Sequence, residues 1–298
     1  MPQLNIQSLR ANFKEPHELL KASDGATLFI RRWDPIAGES PASVLISHGI
    51  TAYSGPYGPL IAEKLASSGY TVYGMDLRGH GLSDGRRGDY PSEERFTKDV
   101  SEVVDYVKQK SKKLLLLGHS LGVLTAIVAF NSVANKVDGL ILLSAAKKIR
   151  TGVYPKQKTG ALLKAFFGIA LFHGATVLEY KREGMMGTND PLFNFKYSAR
   201  FYSALYGASA TSVLKMLQAG VITSPHLEFR EKLHVPLLVG VGENDELFPQ
   251  EFVKEFYEGI QCDDKEFYVI PGAKHAIFPK DSWTPLVSWL DSRFKPAR

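Results

Sequence analysis

The sequence reads KKLLLLGHSLG over residues 112–122. An apolar run typical of a buried strand meets a Gly-x-Ser-x-Gly pentapeptide, and an apolar helix pattern follows over 121–133. A serine on such a tight strand-to-helix turn is held above the sheet, so the residues two before and two after it must lack large side chains. Gly118 and Gly122 meet that need. The N-terminus of the following helix favours negative charge beside Ser120. This stretch therefore predicts a parallel-sheet protein with Ser120 as its nucleophile.

Short apolar runs alternate with amphipathic stretches on both sides of this segment. Such alternation indicates a mostly parallel sheet with crossover helices on both faces. The predicted strands and hairpin are 18–33, 43–47, 71–75, 113–117, 137–143, 236–241 and 266–270. The predicted helices are 57–68, 92–110, 121–133, 249–260 and 283–294.

The alternation breaks between Lys147 and Pro225, where the chain reads as helical and irregular with no strand. Each flank alone would be an incomplete sheet with too little apolar surface to bury on both faces. We therefore expect one α/β domain made of residues 1–146 and 226–298. Residues 147–225 are expected to form an inserted helical cap.

Composition narrows the class of protein. Hydrophobic residues make up 44% and charged residues 22%, which fits a soluble globular protein rather than a disordered one.

The single cysteine, Cys262, excludes an internal disulfide framework. No histidine pair has metal-ligand spacing with a carboxylate, so no metal is expected. The net charge of +5 without a long basic tract argues against nucleic acid. Because residues 1–7 lack a signal-peptide pattern, a cytoplasmic location is expected.

A serine hydroxyl needs a base and an orienting carboxylate, which follow an elbow serine in the chain order Ser, acid, His. Of the eight histidines, only His275 follows a late strand beyond a candidate acid. Asp245 stands in the turn after the strand over 236–241, where a short side chain can point towards that histidine. Glu243 and Glu246 remain the alternative acids. The predicted triad is Ser120, Asp245 and His275.

Hydrolysis by an activated serine also needs backbone N–H donors for the oxyanion. One donor is expected from Leu121, the residue after the nucleophile. The other should come from the loop after the third strand, which reads Ser-His-Gly-Ile-Thr over 47–51. Gly49 allows a sharp turn there, and the N–H of Ile50 is the predicted second donor.

The run over 75–88, MDLRGHGLSDGRRG, resembles the loop after the fourth strand in α/β-hydrolases, in the form found in the monoacylglycerol lipase and lysophospholipase branch. The resemblance extends in order through His48-Gly49, this loop, the pentapeptide, Asp245 and His275. It implies an α/β-hydrolase fold with eight strands, a cap inserted after the sixth, and hydrolysis of medium or long acyl esters. Arg78 and His80 are interpreted as a hydrogen-bond cluster that stabilises the loop.

The chain departs from this branch at two places. Relatives often continue His-Gly-x-x with Glu-His-Ser-x-x-Arg-Tyr, whereas Ala52, Tyr53, Ser54, Pro56 and Tyr57 occupy those positions here. Val123 stands where many relatives have a second glycine after the elbow. Both departures leave the predicted catalytic residues unchanged. They leave open whether a glycerol headgroup is recognised as in the animal enzymes.

The segment over 160–172, GALLKAFFGIALF, is apolar nearly all round. Phe166 and Phe167 are predicted to line the acyl channel. Between Lys147 and Glu179 the chain has six basic residues and no acidic residue before Glu179 itself. The basic residues are Lys147, Lys148, Arg150, Lys156, Lys158 and Lys164. This positive charge would attract an anionic lipid surface. The other interpretation is a cap helix packed on the core, with these basic residues solvated.

The sequence thus predicts a serine hydrolase that needs no cofactor and acts on a small-molecule or lipid ester. Three alternatives stay open. They are a carboxylesterase for short or aromatic esters, an amidase or peptidase on the same fold, and a non-catalytic binding protein that keeps the fold.

Overall fold

A computed structural model describes residues 4–150, 176–179, 186–207, 222 and 224–295. Eight strands form one sheet. They are β1 (His17–Lys21), β2 (Thr27–Trp33), β3 (Ser43–Ser47), β4 (Thr71–Met75), β5 (Leu114–His119), β6 (Gly139–Leu143), β9 (Leu237–Gly242) and β10 (Lys265–Ile270). Their order across the sheet is β1-β2-β4-β3-β5-β6-β9-β10. Two neighbouring pairs, β1-β2 and β2-β4, are antiparallel and the other five are parallel, so the predicted mostly parallel eight-stranded sheet is confirmed.

The described helices largely follow the predicted ones. They are α1 (Ile6–Ala11), α2 (Glu63–Ser67), α3 (Glu93–Lys108), α4 (Leu121–Val133), α5 (Ala199–Tyr206), α6 (Gln250–Glu258) and α7 (Thr284–Phe294). A π-helical turn over Gly58–Ala62 leads into α2. Helix α3 begins after Ser92, whose side chain accepts the Arg95 N–H at 3.1 Å and so satisfies one of the free donors of the first turn.

Helices cover both faces of the sheet. Strand β5 is buried along its whole length, and its side chains alternate between the two sides. Leu114 and Leu116 pack in the core under α3, α4 and α6, whereas Leu115 and Leu117 pack in the core under α2 and α7. Each fully buried leucine contributes roughly 2 kcal/mol by leaving water. This two-sided burial explains why the strand reads as an unbroken apolar run.

The part of the chain between β6 and β9 contains a feature that the sequence did not predict. Strands β7 (Thr176–Glu179) and β8 (Lys196–Ser198) pair antiparallel in a separate two-stranded sheet, so the expectation of no strand in this region is wrong. These strands have four and three residues, too few for a strand periodicity to stand out. Helix α5 follows directly and agrees with the predicted helical character. The described helices include none that is long and apolar enough to cross a membrane.

Candidate active site

Backbone contacts fix the tight turn that carries Ser120. Ser120 has φ 56° and ψ −121°, a positive φ that a side chain rarely adopts. Its N–H donates to the Leu143 carbonyl at 2.9 Å, which ties the turn to β6. A Cβ on Gly118 would collide with the backbone of Gly122, and a Cβ on Gly122 would collide with the carbonyl of Ser47. The two glycines are thus required by close approach, as the pentapeptide predicts.

Three side chains from the carboxyl edge of the sheet meet above this turn. His275 Nε2 lies 3.0 Å from Ser120 Oγ. His275 Nδ1 lies 3.0 Å from Oδ2 and 3.2 Å from Oδ1 of Asp245. An Nδ1–H that donates to the carboxylate leaves the Nε2 lone pair facing the serine hydroxyl. The arrangement can therefore remove the hydroxyl proton when Ser120 attacks a carbonyl.

The carboxylate of Asp245 is buried but well supported. Its Oδ1 accepts the N–H groups of Leu247 and Phe248, each at 2.9 Å. Burial raises its pKa, but the hydrogen bond and charge of His275 and the Phe248 N–H outweigh that effect, so the pKa lies below its ordinary value. Asp245 is consequently charged where the imidazole needs a counter-ion.

The two alternative acids bind the backbone near His275 instead of its ring. Glu246 Oε2 accepts the His275 N–H at 3.1 Å. Glu243 Oε2 accepts the Gly272 N–H at 2.8 Å in the same loop. Among the described carboxylates that follow β9, Asp245 is the one in contact with the imidazole.

The predicted oxyanion donors belong to the loop after β3 and to the first turn of α4. A Cβ on Gly49 would stand 3.5 Å from Ser120 Cβ, so the loop after β3 lies against the nucleophile. The N–H of Ile50 has no acceptor within the described part of the chain. Leu121 is the first residue of α4, where an N–H has no intrahelical partner. Both N–H groups are therefore available to an incoming oxyanion.

Tyr57 and His119 connect the loop after β3 to the loop that carries His275. The sequence did not predict this role. The Gly49 N–H donates to the Tyr57 hydroxyl at 2.9 Å, and that hydroxyl lies 2.8 Å from His119 Nδ1. His119 Nε2 lies 2.8 Å from the His275 carbonyl. Burial lowers the pKa of His119 to about 3, so the ring is neutral and donates through Nε2. The only sequence signal for His119 was its position beside the nucleophile.

The loop after β4 is held by internal contacts, as predicted for Arg78 and His80. Arg78 forms a two-point ion pair with buried Asp99, at 2.7 and 2.8 Å. His80 lies 3.1 Å from the Arg78 carbonyl and 3.2 Å from the Tyr197 hydroxyl. None of these contacts involves Ser120 or His275.

The remaining predicted residues have mixed outcomes. Phe166 and Phe167 lie outside the described residues, as do three of the six basic residues. Lys147 pairs with Glu228 at 2.6 Å, and Lys148 pairs with Glu255 at 2.8 Å. Part of the positive charge of that run is thus neutralised by acids that lie far away in the sequence.

Comparison with known proteins assigns the chain to a family. The profile of the Hydrolase_4 family, described as "Serine aminopeptidase, S33", matches residues 38–282, which is more than half of the chain. The chain belongs to this family. The α/β-hydrolase fold and the resemblance to the monoacylglycerol lipase branch are therefore confirmed.

Individual relatives agree with this placement. A monoglyceride lipase homolog of monkeypox virus is 26% identical over 91% of this chain and 97% of its own length. Human monoglyceride lipase is 26% identical over 88% of this chain and 83% of its own length. The chain spans only 42% of another relative, the Escherichia coli protein YnbC. The crystal structure of Paleococcus ferrophilus monoacylglycerol lipase matches at a TM-score of 0.65 and 25% identity, over 89% of this chain and 99% of that one.

Proposed function

We propose that this chain is a serine hydrolase that cleaves esters of medium or long acyl chains through Ser120, Asp245 and His275. The observation that carries the proposal is the continuous contact from the Ser120 hydroxyl through the imidazole to a buried carboxylate. The coarser statement, that the chain is a carboxylic ester hydrolase, follows from its family and from its monoglyceride lipase relatives.

In the proposed reaction, Ser120 Oγ bonds to the ester carbonyl carbon while His275 Nε2 takes the hydroxyl proton. The carbonyl oxygen becomes an oxyanion that accepts hydrogen bonds from the Ile50 and Leu121 N–H groups. When the ester C–O bond breaks, the imidazolium returns the proton to the leaving alcohol. Water then attacks the acyl-serine with the same base, which releases the acid and restores Ser120.

The acyl chain is proposed to lie under a cap formed by residues 147–225. The described part of this segment contacts the loops beside the nucleophile. The Asn194 N–H donates to the Thr51 carbonyl at 2.9 Å, and the Ser198 N–H donates to the Gly88 carbonyl at 2.9 Å. These contacts support a cap that lies over the oxyanion loop, with Phe166 and Phe167 proposed to line the channel.

Contact with a lipid surface through the cap is a separate part of the proposal. It depends on the basic run from Lys147, of which two members form ion pairs. A lipid ester as substrate does not require it, because a monomeric ester can enter from solution. A cytoplasmic location likewise stays a prediction.

Amide hydrolysis is the second candidate, and the family's description as serine aminopeptidase favours it. A carboxylesterase for short esters would use the same side chains. The substrate arms that separate the three are monoacylglycerols, p-nitrophenyl esters from two to sixteen carbons, and aminoacyl p-nitroanilides. We expect turnover to be highest on the longer esters and negligible on the anilides.

The test of the nucleophile uses Ser120→Ala and a fluorophosphonate probe, which reacts only with an activated serine. Wild-type protein should take up one probe and the variant none, and ester turnover should fall by at least ~10³-fold in the variant with its melting temperature kept. Retention of a tenth of wild-type activity would exclude Ser120 as the nucleophile and would point to a different catalytic site.

A further inference from the structure

His48, directly after β3, is a buried histidine that the reaction above does not use. Its Nε2 lies 3.1 Å from the backbone N of Leu77, and its Nδ1 lies 2.8 Å from the Gly49 carbonyl oxygen. The Leu77 N–H can only donate, so Nε2 must carry the lone pair. The ring proton is therefore on Nδ1, which donates to the Gly49 carbonyl.

This hydrogen bond constrains the peptide group that carries the predicted oxyanion donor. The Gly49 carbonyl and the Ile50 N–H belong to one planar group, and the described residues contain no cis peptide bond. In a trans peptide the carbonyl and the N–H point in opposite directions. A donor that fixes the Gly49 carbonyl therefore also fixes the direction of the Ile50 N–H, in the loop whose Gly49 lies against Ser120.

Other contacts hold the peptide groups on either side. The Gly49 N–H donates to the Tyr57 hydroxyl, and the Ile50 carbonyl accepts the Tyr197 hydroxyl. The Gly49 carbonyl itself also accepts the Ala52 N–H, at the longer distance of 3.2 Å. His48 is the side chain, among those that the structure describes, that reaches this carbonyl.

The surroundings keep the imidazole in the required form. Burial lowers the pKa of His48 below its ordinary value, although the Gly49 carbonyl and Asp76 act in the other direction. A doubly protonated ring would turn an Nε2–H against the Leu77 N–H. The neutral Nδ1–H tautomer is thus the form that satisfies both backbone groups.

We propose that His48 is a positioning residue that aims the Ile50 N–H at the oxyanion. This inference rests on the proposed serine hydrolase reaction. Removal of an oxyanion donor costs 10²- to 10³-fold in kcat in hydrolases of this type, and misorientation should cost somewhat less.

Two substitutions divide the functions of the ring. The amide of His48→Asn lies near the former Nδ1 and can still donate to the Gly49 carbonyl, but it loses the Leu77 contact. The amide of His48→Gln reaches the former Nε2 and can accept the Leu77 N–H, but it leaves the Gly49 carbonyl without a side-chain donor. Each variant loses one of two buried hydrogen bonds, so their melting temperatures should fall by similar amounts.

The readouts are kcat and KM on a p-nitrophenyl ester and the affinity for a boronic acid, whose tetrahedral adduct needs the oxyanion donors. We expect His48→Gln to lose roughly 10- to 100-fold in kcat with KM changed less than about threefold, and boronate affinity to fall in parallel. His48→Asn should stay within about threefold of wild type. Ser83→Ala is the matched control, because Ser83 Oγ makes two buried hydrogen bonds in the neighbouring loop, to Asp76 O and from Phe29 N. It should lower the melting temperature and leave kcat unchanged.

Equal kcat in the two His48 variants, whether both are impaired or both normal, would overturn the positioning role. If His48→Gln does not fold, His48→Met removes the donor at similar volume and takes its place. Ser120→Ala in the same assay separates the two levels of the argument. An active Ser120→Ala variant would refute the proposed function, whereas an inactive one beside a normal His48→Gln would refute only the role of His48.

Discussion

Glu246 holds the backbone of His275, since its Oε2 accepts the His275 N–H at 3.1 Å. The preceding residue, Asp245, contacts the imidazole of the same histidine at 3.0 Å. Two successive acids therefore support one residue in different ways. Glu246 fixes the position of the loop, and Asp245 sets the tautomer and supplies the charge.

This division predicts unequal effects of neutralising the two acids. Asp245→Asn should lower kcat by about 10²- to 10⁴-fold, because the imidazole loses its counter-ion and its Nδ1–H acceptor. Glu246→Gln keeps an oxygen that can accept the His275 N–H and should cost less than about tenfold. Steady-state kinetics on one ester checks both, with Glu243→Gln as the control at the other end of the loop. Greater damage from either glutamate variant would show that the acid has been assigned to the wrong residue.

The charge of Asp245 also predicts the shape of the pH–rate profile. Its pKa lies below the ordinary range, so the carboxylate is ionised across the pH range of the assay. Only neutral His275 can act as base, and kcat/KM should therefore fall towards acid along a limb of one proton. The profile is measured from pH 5 to 9 in buffers of constant ionic strength. A flat profile, or an acid limb of two protons, would contradict a single histidine base.

Features that depend on local sequence were predictable. The unbroken apolar run of β5 reflects burial on both faces, and the glycines of the elbow reflect collisions within a few residues. The contact of Asp245 with His275 could be predicted because the acid and the histidine follow the serine in a fixed chain order in this fold. The predicted strands of the large sheet agree with the structure within a few residues because their apolar patterns are also local.

Features that depend on contacts between distant residues were not predictable. Tyr57 and His119 are 62 positions apart, and His119 and the His275 carbonyl are 156 apart. The roles of Glu243 and Glu246 are set by which backbone N–H each one reaches, which spacing alone does not determine. The short strand β8 is recognisable only through its pairing with β7.

Buried His119 predicts a loss of stability towards acid. Above pH 6.5 the ring is neutral in both states and contributes nothing to pH dependence. Below pH 6.5 the unfolded chain takes up a proton that the folded protein does not bind until about pH 3, so the free energy of unfolding falls as the pH falls through this window. His119→Asn should reduce that slope by up to about 1.4 kcal/mol per pH unit. Urea unfolding at several pH values measures it, and an unchanged slope in His119→Asn would show that this ring does not cause the effect.

The ion pair between Arg78 and Asp99 predicts a structural rather than a chemical role for the loop after β4. Arg78→Met removes the two-point partner of buried Asp99, which keeps its contacts with Arg95 and the Tyr90 hydroxyl, and should cost roughly 2 kcal/mol of stability. The kcat of the folded fraction should stay within about threefold of wild type. Arg293 makes a similar two-point pair with Asp264 at the surface, so Arg293→Met should cost less than ~1 kcal/mol. A large loss of kcat in a stably folded Arg78→Met protein would mean that the loop takes part in the reaction.

The proposed acyl channel predicts an effect that depends on substrate length. Phe166→Ala and Phe167→Ala remove apolar surface that a long chain would contact and an acetyl group would not reach. Each variant should therefore lose roughly 10-fold or more in kcat/KM on a twelve-carbon p-nitrophenyl ester, since a large apolar contact contributes ~1.5–3 kcal/mol. On the acetate ester the loss should stay below about twofold.

A matched aromatic elsewhere distinguishes a channel from general destabilisation. Phe229 packs edge-on against Phe130, near the end of α4 opposite to Ser120, so Phe229→Ala should weaken the fold without length selectivity. The deciding quantity is the ratio of kcat/KM on the long ester to that on the acetate, measured well below each melting temperature. If this ratio is the same in wild type, Phe166→Ala and Phe167→Ala, the two phenylalanines pack within the cap and another surface must bind the acyl chain.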